Sequence, residues 1–350
     1  MSQVVISQIL VIMQNMLGGI DMHILVTGGA GYIGSHATRM LLDLGYQVTV
    51  IDNLSTGYKD AVDKRATFYE EDIHHTENLT TILRKEQIDV VIHFAAFSLV
   101  GESMTKPLKY YENNVSGTAS LLKSMVDAQV KNIVFSSTAA VYGDQKVMPI
   151  TEEILPNPTN TYGATKLAME EMMKWTSIAH NINYVSLRYF NVAGAHHSSE
   201  IGESHNPETH LIPIILQVPL KERDAISIFG TDYDTFDGTC IRDYIHIEDL
   251  IDAHIKAMIY LVNGGKSDVF NLGSGSGYSV RQIIEAAEFV TNQTIKTKEE
   301  AKRAGDPAKL IASSDKAKNI LKWEVKHPKV EDIISSAWAF HQSHKGGFSQ

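Results

Sequence analysis

Tyr162 and Lys166 lie four residues apart, and their types and spacing specify a chemical reaction better than any other pair in this chain. On a helix, residues four apart share a face, so the lysine ammonium group lies beside the phenol. A tyrosine is a poor base at neutral pH because its ordinary pKa is about 10, but a nearby positive charge favours the phenolate. The pair therefore predicts a base that takes a proton from a hydroxyl group while hydride leaves the same carbon.

A glycine-rich segment, 27–34, lies far upstream of this pair, with Thr138 between the two. It follows a strand-like run and opens a helix-like run, and its glycines at 28, 31 and 34 permit a tight turn. A pyrophosphate can approach such a turn closely, and the helix N-terminus stabilises its charge. The second strand-like run ends at Asp52, where an acid accepts hydrogen bonds from a ribose and repels a 2′-phosphate. The segment therefore predicts NAD rather than NADP, with a turn-capping role as the alternative for Asp52.

Short apolar runs alternate with longer amphipathic stretches up to residue 190, which predicts a parallel sheet with helices on both faces. The predicted strands are 23–27, 47–51, 66–69, 89–93, 131–136 and 183–188, and the predicted helices are 32–44, 76–86, 108–128 and 161–180. Beyond residue 190, glycine and proline separate shorter elements. We expect a Rossmann-type doubly wound α/β domain over 22–190. A smaller C-terminal α/β substrate-binding lobe should cover 191–350, with some segments returning to the sheet.

Composition argues against several classes of protein. The 350 residues carry a formal net charge of -10 without a basic block, which disfavours nucleic-acid binding because phosphate contacts need clustered lysines and arginines. The single cysteine, Cys240, precludes an internal disulfide and is typical of a reducing, cytoplasmic location. The adjacent pairs His74-His75 and His196-His197 lack the spacing that converges on one ion, so we expect loop or surface histidines and no metal site.

Residues 1–21 precede the first predicted strand and contain no lysine or arginine. A secretory signal begins with a positively charged region, and Gln, Asn and Ser interrupt this segment too often for a membrane span. We interpret it as an N-terminal extension, with Met22 as an alternative start of the folded unit.

Several short segments together carry a family resemblance. They are Asp52-Asn53-Leu54-Ser55, His93-Phe94-Ala95-Ala96, Val100-Gly101-Glu102-Ser103, Tyr111-Glu112-Asn113-Asn114-Val115, Arg188-Tyr189-Phe190-Asn191, 228–233 and 237–246. With the glycine-rich turn and the Tyr162-Lys166 pair, they make the chain resemble the extended short-chain dehydrogenase/reductase family from Met22 to about Trp323. Within that family, the resemblance is to the branch that inverts C4 of UDP-hexoses.

The resemblance implies an isomerase of galactose metabolism that interconverts UDP-galactose and UDP-glucose and holds NAD through the whole cycle. Tyr162 would take the proton of the 4-hydroxyl, and Thr138 would hydrogen-bond the sugar oxygen and relay the proton. Lys166 would also contact the nicotinamide ribose. The 4-keto sugar would rotate about its pyrophosphate linkage before hydride returns to its other face. A homodimer formed through helices 108–128 and 161–180 is implied as well.

The resemblance also assigns residues to two binding sets. The NAD set is Gly28, Gly31, Tyr32, Ile33, Gly34, Asp52, Asn53, Leu54, Ser55, Asp72, Ile73, Phe94, Ala95, Ala96, Asn113, Tyr162, Lys166 and Phe190. The UDP-sugar set is Thr138, Tyr162, Asn191, Leu211, Arg242, Arg303, Asp306 and Leu310. The two arginines have an independent rationale, because guanidinium groups suit a pyrophosphate. Two positions depart from the family pattern, since Ser98 replaces a lysine and His210 replaces an asparagine.

Other functions of this fold were weighed on the same residues. A nucleotide-sugar 4,6-dehydratase needs an added acid and base, and such relatives carry Asp-Glu directly after the active-site threonine, where this chain has Ala139-Ala140. A simple dehydrogenase that releases NADH is disfavoured only by the wider resemblance. A nucleotide-sensing regulatory protein has no need of Thr138, Tyr162 and Lys166 together.

Leu310 bears on the choice of sugar. It stands where glucose-restricted relatives carry a larger tyrosine near the sugar C2 substituent. The resemblance therefore also implies activity on UDP-N-acetylglucosamine and UDP-N-acetylgalactosamine.

Overall fold

The computed structural model describes residues 22–303 and 306–348, and the extension expected over residues 1–21 lies outside the described residues. In chain order, the strands within these ranges are β1 (His23–Thr27), β2 (Gln47–Asp52), β3 (Thr67–Glu70), β4 (Val90–His93), β5 (Asn132–Ser136), β6 (Asn183–Tyr189), β7 (Asn191–Ala193), β8 (Ile226–Phe229), β9 (Ile241–His246), β10 (Asp268–Leu272), β11 (Gly277–Ser279), β12 (Thr297–Glu300) and β13 (Lys309–Leu310).

The main sheet is parallel throughout and has the strand order β10-β6-β5-β4-β1-β2-β3. The side chains of Ile24, Leu25 and Val26 in the central strand have no exposed area, because a parallel sheet is covered on both faces. The chain crosses from β3 to the far side of β1 to form β4. A crevice between β1 and β4 therefore opens at the carboxyl edge of the sheet. This topology confirms the predicted doubly wound α/β fold.

Helices cover both faces of this sheet. The apolar cluster on one face includes residues from the helices Tyr32–Asp43 and Ile247–Val262. The cluster on the other face includes residues from Thr76–Lys85, Gly117–Ala128 and Thr161–His180. Each helix buries a stripe of apolar side chains against the sheet, as amphipathic helices do. The second group includes the helix that carries Tyr162 and Lys166, which is thereby fixed against β5 and β6.

The segments after residue 190 build a smaller layer. β9 pairs with β7, β11 and β13, and β8 pairs with β12. The helices Leu211–Leu216, Val280–Thr291 and Val330–Ser343 surround a third apolar cluster beside these strands. The chain does not stay in this layer, since β10 pairs with β6 of the main sheet. Shorter helical turns are Lys59–Ala61, Ala139–Tyr142 and Asp315–Ile320.

The predicted secondary structure up to residue 190 is confirmed within one or two residues, except over 108–128. In place of one helix over 108–128, the chain forms the helix Pro107–Tyr110, a widened π-helical turn Tyr111–Ser116 and the helix Gly117–Ala128. A short helix, Val100–Thr105, precedes them. Proline is favoured at the first position of a helix, so Pro107 starts a new helix. A single widened turn is common at functional sites, and it leaves no mark in apolar periodicity. None of the described helices combines the length and the apolar character needed to cross a bilayer.

Candidate active site

Two glycines are required by the packing of the turn after β1. Gly28 has φ +73°, and a Cβ placed on it would meet the backbone nitrogen of Ala95 at 2.6 Å. A Cβ on Gly34 would meet the carbonyl oxygen of Gly28 at 2.1 Å. The turn therefore lies tightly against both the following helix and the segment after β4.

Gly31 lacks any such internal reason to be glycine. Its φ is -80°, and a Cβ on it would meet only the carbonyl oxygen of Gly28, at 3.4 Å. A side chain here would instead enter the cavity that Gly31 lines. The residue also immediately precedes the helix Tyr32–Asp43, whose first N–H groups have no partner within the helix. A bare backbone at this point suits the close approach of a pyrophosphate, so the cavity fits a dinucleotide.

This cavity lies at the carboxyl edge of β1, β2 and β4. It is lined by members of the predicted NAD set, namely Gly28, Gly31, Asp52, Asn53, Ser55, Ile73, Phe94, Ala95, Ala96 and Asn113. Ile51, Thr56, Glu71 and Phe97 also line it and were missed by the sequence reasoning. Each of these four is a chain neighbour of a predicted residue, which was the signal that could have found them.

Asp52 has structural contacts as well as a place in the cavity wall. Its Oδ2 accepts the N–H of Ala30 at 2.9 Å, and its Oδ1 accepts the N–H of Leu54 at 2.8 Å. Burial raises the pKa of the Asp52 carboxyl group, and these two N–H groups oppose that rise. Asp52 therefore caps the glycine turn while it lines the cavity.

Other members of the predicted NAD set use their side chains for contacts within the protein. Asn53 donates to Oδ2 of Asp72 at 2.7 Å, which joins the segments after β2 and β3. The hydroxyl of Tyr32 donates to the carbonyl oxygen of Gly194 at 2.7 Å. Ile33 packs against the apolar cluster on one face of the sheet. Tyr32 and Ile33 thus direct their side chains into protein contacts, which leaves their backbone at the start of the helix for a ligand.

Tyr162, Thr138 and Lys166 meet at the carboxyl end of β5. The Thr138 side chain faces the Tyr162 hydroxyl, and hydrogen bonding between them lowers the pKa of Tyr162. Lys166 Nζ donates to the carbonyl oxygen of Ser136 at 2.8 Å and lies 5.9 Å from the centre of the Tyr162 ring. The structure thus brings the three predicted catalytic residues together, two from the helix Thr161–His180 and one from the turn after β5.

Burial dominates the electrostatics of this trio. It raises the pKa of Tyr162 to about 12, although the hydrogen bond with Thr138 opposes the rise. It lowers the pKa of Lys166 to about 7, although the charge of Glu170 opposes the fall. The expectation that Lys166 shifts Tyr162 towards the phenolate is therefore not met by these residues alone. A further positive charge at this place would favour the phenolate.

Ser103 and Asn114 are positioning residues that the sequence reasoning quoted only as motif letters. Ser103 Oγ accepts the backbone N–H of Tyr162 at 3.1 Å, which satisfies a free donor in the first turn of that helix. Asn114 accepts the N–H of Phe97 at 2.8 Å and donates to the carbonyl oxygen of Phe97 at 3.1 Å. Ser103 thus connects the helix Val100–Thr105 to the proposed base. Asn114 connects the π-helical turn Tyr111–Ser116 to Phe97 in the cavity wall.

Glu170 was missed altogether. It follows Lys166 by four residues on the same helix, and its Oε1 accepts a hydrogen bond from Ser137 Oγ at 2.5 Å. The Arg188 guanidinium binds both of its oxygens, with Nε at 2.9 Å and Nη2 at 2.5 Å. The last residue of β5 and the two residues after it are therefore held by one helix face, Ser136 by Lys166, Ser137 by Glu170 and Thr138 by Tyr162. A glutamate inside a helix gives no sequence signal for this role.

Strand β9 and its neighbours β7 and β13 carry three members of the predicted UDP-sugar set. Asn191 lies opposite Tyr244 across the β7–β9 pair, and Leu310 lies opposite Arg242 across the β13–β9 pair. Leu310 also packs beside Val141, in an apolar group that directly follows Thr138. Phe190 of the predicted NAD set packs in this same group. The register of β9 thus brings Asn191, Arg242 and Leu310 together from distant parts of the chain, and Leu310 packs against the cluster that includes the turn after Thr138.

Of the two predicted arginines, Arg242 lies near the start of β9 and Arg303 follows β12. Arg242 Nη1 donates to the carbonyl oxygen of Pro307 at 2.8 Å, and its Nη2 lies 3.9 Å from Oδ1 of Asp306. The Arg303 guanidinium stacks on the Phe229 ring at 3.8 Å. Leu211 begins the helix Leu211–Leu216 and packs against the third apolar cluster.

The histidines of the two adjacent pairs differ in exposure, and His74 is half-buried. His75 and His197 are exposed and face Glu71 and Glu248. His196 lies in a loop, as expected, but its side chain is buried beside His36 and His197. His210, at the position that departs from the family pattern, contacts Glu203 and Glu208, and Ser98 is exposed.

Comparison with known proteins agrees with this geometry. A UDP-glucose 4-epimerase of Lactobacillus helveticus is 54% identical over 93% of this chain and 99% of its own length. A crystal structure of a UDP-glucose 4-epimerase superposes with a TM-score of 0.92 at 53% identity, covering 94% of this chain and 100% of the other. The Brucella ovis UDP-glucose 4-epimerase, solved with NAD, gives a TM-score of 0.89 at 42% identity and covers 91% of this chain and 97% of the other. Residues 24–273 match the model of the NAD dependent epimerase/dehydratase family, and the chain therefore belongs to that family.

Proposed function

We propose that this protein is a UDP-glucose 4-epimerase, an isomerase that interconverts UDP-galactose and UDP-glucose with NAD as its cofactor. The observation that carries the proposal is the meeting of Tyr162, Thr138 and Lys166 beside the cavity lined by Gly28 and Gly31. The names of the relatives, which match nearly the whole chain, support the same reaction.

The cavity residues have the chemistry to hold NAD. The turn at Gly28 and Gly31 would receive the pyrophosphate, Asp52 the adenosine ribose, and the edge formed by Phe94 and Asn113 would complete the wall. When bound, NAD accepts hydride from C4 of the sugar and returns it, and its oxidised ring carries a positive charge.

Tyr162 would exchange the proton of the 4-hydroxyl group. The burial that raises its pKa to about 12 makes the neutral phenol the resting form. A substrate oxygen hydrogen-bonded to both Tyr162 and Thr138 would lose its proton only while positive charge lies close. Lys166 would supply one such charge in its protonated form, and its contact with the Ser136 carbonyl oxygen holds it beside the base. The same pair returns the proton when the 4-keto sugar is reduced on its other face.

The residues gathered by β9 would hold the UDP-sugar. Arg242 and Arg303 would bind the pyrophosphate, since guanidinium groups form charge-assisted hydrogen bonds with phosphate oxygens. Asn191, Leu211 and Asp306 would bind the rest of the nucleotide-sugar. Leu310 packs next to the turn that follows Thr138, so its size would set the space beside the sugar. This placement supports additional activity on UDP-N-acetylglucosamine and UDP-N-acetylgalactosamine.

Two further aspects of the proposal concern assembly and location. Large apolar side chains are exposed on the helices proposed to form a homodimer, with Leu108 80%, Trp175 63% and Ile178 66% exposed. A dimer formed through these helices would remove these apolar side chains from water. Sedimentation velocity that gave only monomer at micromolar concentration would contradict this. The single cysteine supports a cytoplasmic location.

The decisive experiment is incubation with UDP-galactose without an added electron acceptor, followed by chromatography of the nucleotide-sugars. We expect UDP-glucose with no net NADH, and a 4-keto-6-deoxy product would instead show dehydratase chemistry. Tyr162→Phe should lower turnover by about 10²–10⁴-fold, the usual contribution of a general base. Tyr184→Phe, a half-buried tyrosine of β6, is the matched control and should keep full turnover. Full turnover by Tyr162→Phe would show that Tyr162 is not the base.

A further inference from the structure

Four potential metal ligands converge in the loop before the helix Leu211–Leu216. They are Glu203, His205, Glu208 and His210, and one ligand atom from each lies within 4.8 Å of the others. Each is separated from the next by only one or two residues, so a single loop supplies all four. None of them lines the cavity beside Gly31.

The spacing of the side-chain atoms is close to that of a metal coordination shell, with both carboxylate oxygens of Glu208 taking part. His210 Nδ1 lies 2.9 Å from Glu203 Oε1 and 3.1 Å from Glu208 Oε1. His205 Nδ1 lies 3.5 Å from Glu203 Oε1 and 3.4 Å from Glu208 Oε2. Zinc bonds of about 2.0–2.1 Å in tetrahedral geometry separate neighbouring ligand atoms by about 3.4 Å. The four contacts scatter around that separation.

The directions of these groups favour a shared centre over separate ion pairs. The contact between His210 and Glu208 has hydrogen-bond geometry, and both carboxylates raise the pKa of His210. The buried Nδ1 of His205 has no hydrogen-bond partner among the described residues, although two carboxylates stand within 3.5 Å of it. A buried polar atom without a partner is unusual and calls for an explanation. A cation between the four groups would satisfy it.

Charge and accessibility are also suitable. The side chains of Glu203 and Glu208 are only 4% and 9% exposed, so their charges act in a medium of low dielectric constant and attract a cation strongly. The side chains of His205 and His210 remain partly exposed, which leaves a path for an ion. Two imidazole nitrogens with two carboxylates suit a transition metal rather than Ca²⁺ or Mg²⁺, which prefer oxygen ligands.

Two other His/Glu groups are less suited to a metal ion. Both depend on the same carboxylate, Glu248. In one of them, His246 already uses both ring nitrogens, since Nδ1 accepts the N–H of Glu248 and Nε2 is hydrogen-bonded to Ser336. The other group provides His197 as a control for the test below.

We propose that Glu203, His205, Glu208 and His210 bind one divalent transition-metal ion, with Zn²⁺ as the ion whose geometry fits best. The ion is structural, because its ligands all come from the protein. It fixes the loop that leads directly into Leu211, and the His205 ring lies 6.2 Å from the ring of Tyr32. Metal binding would thereby stabilise loop 203–210, which lies next to Leu211 of the UDP-sugar set and Tyr32 of the NAD set.

The test is titration of untagged full-length protein, freed of metal with a chelator, with Zn²⁺ alone. Calorimetry should show one ion bound per chain, and Zn²⁺ should raise the melting temperature. Co²⁺ should give the visible absorption of a tetrahedral site. His205→Gln should weaken Zn²⁺ binding at least tenfold, whereas His197→Gln should leave it unchanged.

His205 is the chosen position because its side chain is partly exposed, and a second variant, Glu208→Gln, tests a carboxylate ligand. Circular dichroism of both variants without metal establishes that they fold. Failure of the wild-type protein to bind one Zn²⁺ per chain would overturn the proposal and leave a network of His–Glu ion pairs. Unchanged affinity in a folded His205→Gln variant, or loss of binding in His197→Gln, would overturn it as well.

Discussion

The buried pair of Glu170 and Arg188 should be necessary for both stability and turnover. Both side chains are 6% exposed, and Glu170 also holds Ser137 through a hydrogen bond of 2.5 Å. Glu170→Met keeps a side chain of similar length but leaves the Arg188 charge buried without its partner. Removing one member of a buried ion pair costs about 3–5 kcal/mol. For a chain of 350 residues, that loss corresponds to a fall in melting temperature of about 4–7 °C.

The double variant Glu170→Met/Arg188→Met separates the ion pair from simple loss of packing. Two apolar side chains of similar volume can replace a buried ion pair at little net cost. We therefore expect the double variant to be at least about 2 kcal/mol more stable than Glu170→Met. Glu171→Met is the matched control, because Glu171 is exposed and its contact with Lys174 is 3.7 Å long. It should change stability by less than about 0.5 kcal/mol.

The assay is urea unfolding followed by tryptophan fluorescence, with thermal melting at one fixed NAD concentration. Turnover of UDP-galactose is measured on the same samples, and it should fall in both Glu170 variants because Ser137 stands between the partners of Lys166 and Tyr162. A loss below about 1 kcal/mol in Glu170→Met would refute the argument from buried charge. Equal instability of the single and double variants would show that packing, rather than the unpaired charge, decides the loss.

Three other predictions concern the cofactor cavity, acid stability and the choice of sugar. Gly31→Ala should fold with nearly unchanged stability, because its Cβ has room at 3.4 Å, yet purify with less NAD; full NAD content would contradict the role of the bare backbone. Burial lowers the pKa of His93 to about 3. Between pH 6.5 and 3, this histidine is therefore protonated more in the unfolded chain than in the folded one, and the free energy of unfolding falls as the pH falls. His93→Asn should therefore lose about 2 kcal/mol less than the wild type between pH 7 and pH 5, measured from urea midpoints, and an unchanged pH slope would exclude this histidine as a source. Leu310→Tyr should lower the rate ratio of UDP-N-acetylglucosamine to UDP-galactose, and an unchanged ratio would remove Leu310 as the determinant of sugar size.

The sequence predicted the main sheet well because its signals are local. Apolar strand runs such as 23–27 and the amphipathic helices between them are read from neighbouring residues. The same holds for the glycine-rich turn, where Gly28 has a positive φ and Gly34 packs against the carbonyl oxygen of Gly28. Spacing of four residues on a helix was enough to place Tyr162 beside Lys166.

Residues that act through distant partners gave no comparable signal. Ser103 meets Tyr162 across a separation of 59 residues, and Arg188 of β6 meets Glu170 of the helix Thr161–His180. The loop ligands Glu203 and His205 read as ordinary polar residues, since no helical spacing brings them together. Side chains of these types are usually solvated, and only burial changes their energetics.

The sequence by itself determined the fold class, the cofactor turn and the identity of the proposed base, because each depends on residue types at short, fixed spacing. Tertiary structure decided the protonation of that base, since the burial that raises the pKa of Tyr162 and lowers that of Lys166 comes from elements far apart in the chain. It also decided how Asn191, Arg242 and Leu310 gather along β9, because strand register is set by the packing of the whole lobe.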